Sequence, residues 1–393
     1  MTARPPALLL AMLTVATFLT TVSSVSIAPF LLDMARDLGT DLAGLGTLVA
    51  LSSVSWGAAS LTAGVASDRL GRRLILVIGL LVFAASRFGI GLAGAYLALA
   101  FWQIVSGAGG GAYTGTVFAA ASDQVPPEQR GRAMGSIITG QSLGLVLGLP
   151  LITLLGSFTG WRGAAHVQGV AVLLSALSVF LVMPAAAAPD PQQPAARKPR
   201  LVTVLRPRLV ALLGASMMER ACFSGVMVYL ATYLIESYRL SLGQLAPLLA
   251  LVTLGNLAGN LVGGPLADRW PARALTFAAT SVGTAILAVP LLLIQPGLAL
   301  SVAAGFGYSL VNALGRPSLL AALSEVPRDV SGAVLGLNIT CGSTGWLLAS
   351  GVGGWLIARF GFGGLGVLSV AAALTGAALA VVASLAPRPP GEP

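Results

Sequence analysis

Long runs of apolar residues constrain this chain more than any other feature of its sequence. Twelve of them, each long enough to cross a bilayer as a helix of about 20 residues, alternate with short polar stretches. Their approximate ranges are 7–32, 42–66, 74–93, 95–119, 132–156, 163–184, 208–235, 243–266, 274–294, 298–323, 332–358 and 363–385. Only 9% of the 393 residues are charged, and 56% are hydrophobic. We therefore predict an all-α integral membrane protein with 12 transmembrane helices.

Two motifs occur twice in the same order. The stretch GVASDRLGRR at 64–73 has a counterpart in GPLADRWPAR at 264–273, and VPPEQRGRAMG at 125–135 has one in VPRDVSGAVLG at 326–336. Offsets of 200 and 201 residues indicate an internal duplication. We predict two pseudo-symmetric six-helix halves, residues 1–184 and 207–393. Residues 185–206 are rich in proline and basic residues, which is typical of a flexible cytoplasmic linker.

The basic residues predict the orientation. Fifteen of the 22 fall on one side of the predicted membrane and five on the other, while Arg220 and Arg316 lie within spans. The positive-inside rule makes the richer side cytoplasmic, with both termini on it, in the inner membrane of the cell. The net charge of +9 therefore reflects topology, and the expected surroundings are a lipid bilayer and no nucleic acid.

No pattern of catalytic residues is present. Cys222 and Cys341 lie within spans without metal-ligand spacing, and neither a phosphate-binding loop nor a nucleophile elbow occurs. The glycine-rich run 107–111, which has alanine at 108, suits close packing of membrane helices instead, and so do Gly140, Gly144 and Gly148 on one helix face. We expect no enzyme, no cofactor and no metal. Because both halves are covalently joined, we expect a monomer.

The duplicated motif resembles the loops of the major facilitator superfamily, and the resemblance covers essentially the whole chain. It implies transport by alternating access, with the halves rocking around a central cavity. It also implies that Asp68 helps to stabilise the outward-facing state and that Arg72 and Arg73 join a cytoplasmic charge cluster. The residues that match this conformational gate loop in the two copies are Gly64, Asp68, Arg69, Gly71, Arg72, Arg73, Asp268 and Arg269.

Two further stretches, Gly160-Trp161-Arg162 and the loop at 126–135, resemble the drug/proton antiporter and sugar-efflux branches of that family. The sequence departs from the usual pattern of these branches at two places. The efflux branches usually carry an arginine in span four where this chain has Gln103, and Gly148-Leu149-Pro150 interrupts the usual span-five motif.

Glu219 is the strongest single candidate for a functional residue. It lies eleven residues beyond Arg208, so at 1.5 Å per residue it sits about 16 Å deep, near the middle of a ~30 Å core. A carboxylate there is costly unless it is paired or protonated. Two interpretations follow: a proton-coupling carboxylate assisted by Arg220, or a structural ion pair with Arg220 or Arg316.

Other polar residues recur at helical spacing within the spans, which favours a cavity surface over lipid. We predict that they line a substrate cavity that is more polar in the second half, although each could instead bond a neighbouring helix. They are Gln103, Gln141, Tyr229, Tyr233, Asn256, Asn260, Tyr308, Asn312 and Arg316. Arg87, in the outer third of span three, could extend towards the interface or replace the missing span-four arginine.

These features predict a secondary active transporter, most simply one that exports a small amphiphilic organic compound against proton influx. The alternative is an uptake symporter or uniporter for a sugar or organic anion, which the arginines within the spans and Gln103 favour. A membrane receptor would need a sizeable extramembrane domain, and the sequence has no room for one.

Overall fold

The computed structural model describes residues 6–126, 129–184, 206–294, 296–325 and 328–386. The chain forms two compact units, Met1–Gln193 with Ser241–Ala246 and Pro194–Leu240 with Pro247–Pro393. All regular elements of the described ranges are helical, which confirms the all-α prediction. Of the predicted linker, only Arg206 lies within the described residues, so the boundaries of the two halves stay a prediction.

The first half contains six α-helices in chain order. A short 3-10 turn, Ala28–Phe30, lies between the first two of them. The helices are α1 (Pro6–Val25), α2 (Leu31–Leu38), α3 (Leu42–Leu70), α4 (Arg72–Leu92), α5 (Tyr96–Asp123) and α6 (Arg130–Val182).

The second half repeats this order without a counterpart of α2. The helix that begins at Arg273 continues as a π-helix, Val289–Ile294. The helices are α7 (Pro207–Tyr238), α8 (Leu242–Arg269), α9 (Arg273–Ala288), α10 (Leu298–Ser324) and α11 (Arg328–Leu385).

The helices account for the twelve predicted spans. Within the described ranges, nine helical segments are long and apolar enough to cross a membrane. Two of these, 50 and 49 residues long, belong to α6 and α11 and each hold two spans. The twelfth span is α5, a glycine-rich helix of 28 residues.

A glycine divides each of the two long helices into a hairpin. Gly160 in α6 has φ 66° and ψ 177°, and Gly361 in α11 has φ 66° and ψ −168°. Only glycine adopts this region without strain, so these residues, 201 positions apart, reverse the chain at equivalent points of the repeat. The turn predicted at Gly160-Trp161-Arg162 is confirmed, and its location on the outer side of the membrane stays a prediction. There the indole Nε1 of Trp161 donates to the Oδ2 of Asp37 in α2 over 2.9 Å.

Glycines bring helix backbones into direct contact in both halves. A β-carbon built on Gly140 of α6 would lie 2.4 Å from the carbonyl oxygen of Thr14 in α1, and one on Gly148 would lie 2.5 Å from Val22 Cγ2. Real β-carbons do not approach so closely, so only glycine permits this packing. The packing face predicted for span five is therefore confirmed.

A second glycine seam, a row of glycines on one helix that lie against backbone carbonyl groups of its neighbour, occurs in both halves. The helix that supplies the glycines differs between the halves. In the first half Gly107, Gly111 and Gly115 of α5 lie against the carbonyl groups of Ser52, Trp56 and Ser60 in α3. In the second half the glycines belong instead to the helix equivalent to α3. Gly255, Gly259 and Gly263 of α8 lie against the carbonyl groups of Phe306, Leu310 and Leu314 in α10. Either helix of such a pair can therefore supply the small residues.

Two adjacent glycines of α8 offer a matched test of this seam. A β-carbon on Gly263 would lie 2.5 Å from the carbonyl oxygen of Leu314, whereas one on Gly264 would meet no described atom within 4 Å. We expect Gly263→Ala to lower the free energy of unfolding by about 1–3 kcal/mol through overpacking. Gly264→Ala should be neutral or stabilise by up to about 1 kcal/mol, because alanine is the better helix former. Thermal unfolding of the detergent-purified variants measures both changes in stability. Equal effects would contradict the interpretation that close backbone contact at Gly263 requires glycine.

Candidate functional site

Glu219 forms a buried ion pair with the residue that follows it. The Nε of Arg220 donates to Oε2 of Glu219 over 2.8 Å, and Nη2 donates to Oε1 over 3.2 Å. The side chain of Glu219 is 3% exposed and that of Arg220 is 15% exposed. Both carboxylate oxygens are therefore engaged by one guanidinium. Of the partners that the sequence left open, the structure selects Arg220.

The two arms of α11 enclose this pair. On its first arm, a β-carbon at Gly345 would lie 2.3 Å from the carbonyl oxygen of Met217 and 2.8 Å from Cβ of Arg220. Gly342, one turn earlier, faces the Cγ of Arg220 at an ordinary contact distance of 3.4 Å. On the second arm, Gly376 packs against Met218. The absence of side chains at these glycines lets the pair sit between closely approaching helices.

Arg316 adds a second positive charge to the neighbourhood. It is half-buried in α10, and it interacts electrostatically with both Glu219 and Arg220. Within the described ranges it forms no hydrogen bond or ion pair. Two guanidinium groups thus accompany one carboxylate, and the cluster carries a net charge of +1 when Glu219 is ionised.

Three tyrosines that were predicted to line a cavity are buried between helices, which is the alternative that the sequence left open, and a role for them in binding substrate stays a prediction. The side chains of Tyr229, Tyr233 and Tyr308 have no exposed surface. The hydroxyl of Tyr229 donates to the carbonyl of Ser350 over 2.5 Å, and that of Tyr308 donates to the carbonyl of Cys222 over 2.8 Å. The hydroxyl of Tyr233 bonds the Oγ of Ser301 in α10. A buried hydroxyl needs a partner, and here neighbouring helices supply it.

The asparagines and glutamines that were predicted to line the cavity differ in burial and in hydrogen bonding. Asn260 donates from Nδ2 to the carbonyl oxygen of Asn256 over 2.9 Å, and both residues are half-buried on α8. Gln103 and Asn312 are buried, 6% and 7% exposed, and bond no described residue. Gln141 is exposed on α6. Their role in binding substrate stays a prediction.

An ion pair at the end of α5 holds the start of α4. The Nε of Arg72 lies 3.1 Å from Oδ2 of Asp123, the last residue of α5, and Nη1 donates to the Oγ of Ser67 over 2.5 Å. Arg73 has different described partners, so its membership of a cytoplasmic charge cluster stays a prediction. Its guanidinium stacks on the ring of Phe180 at 4.4 Å and donates to the Phe180 carbonyl.

The second half has an equivalent pair that sequence reasoning missed. Glu325, just after α10, accepts from Nη2 of Arg208 over 2.5 Å and from Nη1 of Arg273 over 3.1 Å. Asp123 is the last residue of α5 and Glu325 directly follows α10, the equivalent helix of the repeat. This shared position was the signal that could have identified them. Each acid anchors the first residue of the helix equivalent to α4, Arg72 or Arg273.

The remaining gate-loop residues are less constrained. Gly71 lies between α3 and α4 and adopts φ 92°, a conformation that favours glycine. A β-carbon on Gly64 would lie 3.5 Å from the carbonyl oxygen of Gly115 in α5, an ordinary contact. Arg69, Asp268 and Arg269 are exposed. The side chain of Asp68 lies outside what the structure describes.

The family model of the Major Facilitator Superfamily matches residues 13–350 and 212–393. The chain belongs to this family. It is 26% identical over 326 residues, 81% of each chain, to the uncharacterized MFS-type transporter YceJ of Bacillus subtilis. It is 28% identical over 250 residues, 63% of each chain, to a chloramphenicol resistance protein of Streptomyces lividans. It is also 29% identical to the chloramphenicol efflux pump Rv0191 of Mycobacterium tuberculosis over 225 residues, 54% of this chain and 52% of that pump.

The fold of this major facilitator also has solved counterparts. The occupied, inward-facing crystal structure of a bacterial homolog of the human lysosomal transporter Spinster matches with a TM-score of 0.77. The match covers 95% of this chain and 96% of that one at 16% identity. This likeness confirms the twelve-helix fold predicted from the apolar runs.

Proposed function

We propose that this major facilitator exports a small amphiphilic organic compound in exchange for protons. The observation that carries the proposal is the ion pair of Glu219 and Arg220, buried near the middle of α7. An ionisable pair inside a membrane span is retained at a considerable cost, and such residues typically serve ion or substrate pathways. A chloramphenicol resistance protein and a chloramphenicol efflux pump among the relatives support a small organic substrate.

The geometry of the pair explains how a proton could drive the exchange. Protonation neutralises Glu219, and the two donors of Arg220 lose their charged acceptor. The hydrogen bonds at the surface where α7 faces α10 and α11 then change, so the proton and the substrate can favour different conformations. Such a difference in binding free energy between states is the means by which one solute drives another. We place the transporter in the inner membrane as a monomer.

A second function is favoured by Arg316. An organic anion bound beside the two guanidinium groups would be held more tightly once Glu219 is protonated, because the cluster then carries a charge of +2. Proton and anion would bind cooperatively and move in the same direction. This describes an uptake symporter, the alternative that the sequence already raised.

Flux measurements in proteoliposomes with an imposed pH gradient separate the two functions. Chloramphenicol and benzoate serve as the neutral and anionic probes. We expect chloramphenicol to move against the proton gradient in the wild type and to lose its response to the gradient in Glu219→Gln. The matched control is Glu236→Gln, an exposed acid on the same helix, which should behave as the wild type.

Benzoate that moves with the protons, in a Glu219-dependent manner, would instead establish the symporter. If neither probe responds to the pH gradient in the wild type, the proton-coupled proposal is wrong.

A further inference from the structure

Arg87 is a buried arginine in the first half that the proposed function does not use. It lies five residues before the end of α4, and it is 4% exposed. Its Nη1 donates to the carbonyl oxygen of Ser23 in α1 over 3.1 Å, and its Nη2 donates to the Oγ of Ser106 in α5. The ring of Phe83 lies 4.9 Å from its Cζ. The side chain therefore points between helices, and extension towards the interface, which the sequence allowed, does not occur.

The hydrogen bonds of this guanidinium are incomplete. Its Nε is buried and has no partner among the described residues, although nearly all buried polar groups in proteins have one. Within the described ranges, no carboxylate lies within ion-pairing distance of it. Gln103, one turn before Ser106 on the same helix, is also buried without a hydrogen bond to any described residue. An unpartnered donor of Arg87 and the amide of Gln103, one turn from the Ser106 that Arg87 contacts, thus lie in the same region of α4 and α5.

The surrounding groups compensate the charge only in part. Ser23 lies in the last turn of α1, and the carbonyl end of a helix is equivalent to about half a negative elementary charge. The hydroxyl of Ser106 and the ring of Phe83 carry no net charge. A full positive charge on Arg87 therefore keeps roughly half of its value uncompensated inside the bilayer region.

We propose that Arg87, Ser106 and Gln103 form a binding site for a monovalent carboxylate. One cation can neutralise one negative charge, and the planar fork of a guanidinium matches the two oxygens of a carboxylate. The unpartnered Nε of Arg87 and the amide of Gln103 supply the missing donors. The carboxylate belongs either to a small free anion or to an amphiphilic molecule. This site is distinct from Glu219 and does not depend on the direction of transport.

Titrations of the full-length, detergent-purified protein test the site through its unfolding temperature. The probes are acetate with acetamide as its neutral match, and benzoate with benzamide, in sulfate buffer of constant ionic strength. We expect the carboxylates to raise the unfolding temperature of the wild type in a saturable manner, and the amides to have no such effect. Arg87→Gln should weaken the apparent affinity for the carboxylates at least about 10-fold, since charge-assisted bonds are lost.

Two further variants complete the test. Arg87→Lys keeps the charge but loses the fork, so its affinity should lie between those of the wild type and Arg87→Gln. Arg359→Gln removes an exposed arginine and should leave the titration unchanged. Equal responses to acetate and benzoate would assign the site to a small free anion, and at least about 10-fold tighter benzoate binding would assign it to an amphiphilic carboxylate.

A wild type that responds alike to the carboxylates and their amides overturns the proposal, as does an unchanged affinity in Arg87→Gln. If Arg87→Gln does not fold, two measurements still test whether the carboxylate site exists: the comparison of each acid with its amide in the wild type, and the titration of Arg87→Lys. Because these readouts involve no flux or pH gradient, their failure is distinguishable from failure of the proton-coupled proposal.

Discussion

Replacement of Arg220 by methionine is expected to lower the free energy of unfolding by about 3–5 kcal/mol, the usual cost of breaking a buried ion pair from one side. The reason is that Glu219 would remain, 3% exposed, without the two donors that satisfy its oxygens. The double variant Glu219→Gln with Arg220→Met should be more stable than Arg220→Met alone, because no uncompensated carboxylate remains.

A double-mutant cycle measures this pair in thermal unfolding of the purified protein. The matched control for the arginine is Arg359→Met, which removes an exposed guanidinium and should change stability little. The same cycle also separates structure from transport. A double variant that is stable but indifferent to pH gradients would place Glu219 in coupling, whereas one that keeps its pH response would leave the pair with a structural role alone.

The second large effect is expected at Gly345. A β-carbon there would lie 2.3 Å from the carbonyl oxygen of Met217, so Gly345→Ala must push the first arm of α11 away from α7. We expect a loss of about 1–3 kcal/mol of stability. Since the same β-carbon would lie 2.8 Å from Cβ of Arg220, the ion pair should shift as well. Transport that depends on Glu219 should therefore be impaired beyond the loss of stability.

Gly342→Ala is the matched control for this variant. The new methyl group would lie 3.4 Å from Cγ of the same arginine, an ordinary contact, so stability should be unchanged or higher by up to about 1 kcal/mol. Unfolding temperatures and initial flux rates, measured for both variants, check the difference. Equal losses in the two alanine variants would show that close approach at Gly345 is not what positions Arg220.

Several features of this major facilitator could be predicted from the sequence because they depend on local composition. Long apolar runs predict the spans, since every polar backbone group in a bilayer must be satisfied within a helix. Glycines spaced by four residues predict the face of α6 that meets α1, because the helical period alone places Gly140, Gly144 and Gly148 on one side. The position of Gly160 before a tryptophan indicates the turn between two spans in the same way.

Other features depend on which helices become neighbours, and the sequence does not contain that information in any local pattern. Helical spacing places Tyr308 and Asn312 on one face of α10, but only the packing of α7 and α11 against that face decides that Tyr308 bonds Cys222 and Ser369. Likewise, Asp123 and Glu325 were unremarked acids until the ends of α5 and α10 were seen to meet the basic starts of α4 and α9.

The charged residues within the spans show the division most clearly. Depth along a helix follows from counting residues, so the sequence by itself determined that Glu219 and Arg220 lie inside the membrane region and require partners. For Arg87 it left two possibilities open, extension towards the interface or replacement of the missing span-four arginine. Which partner each finds is a matter of side-chain direction and helix packing. Tertiary structure alone decided that Arg220 turns onto Glu219, whereas Arg87 turns inward to α1 and α5 and meets no carboxylate among the described residues. The physical reason is that a long, flexible side chain can reach several neighbouring helices, and only the packed bundle leaves one of those directions open.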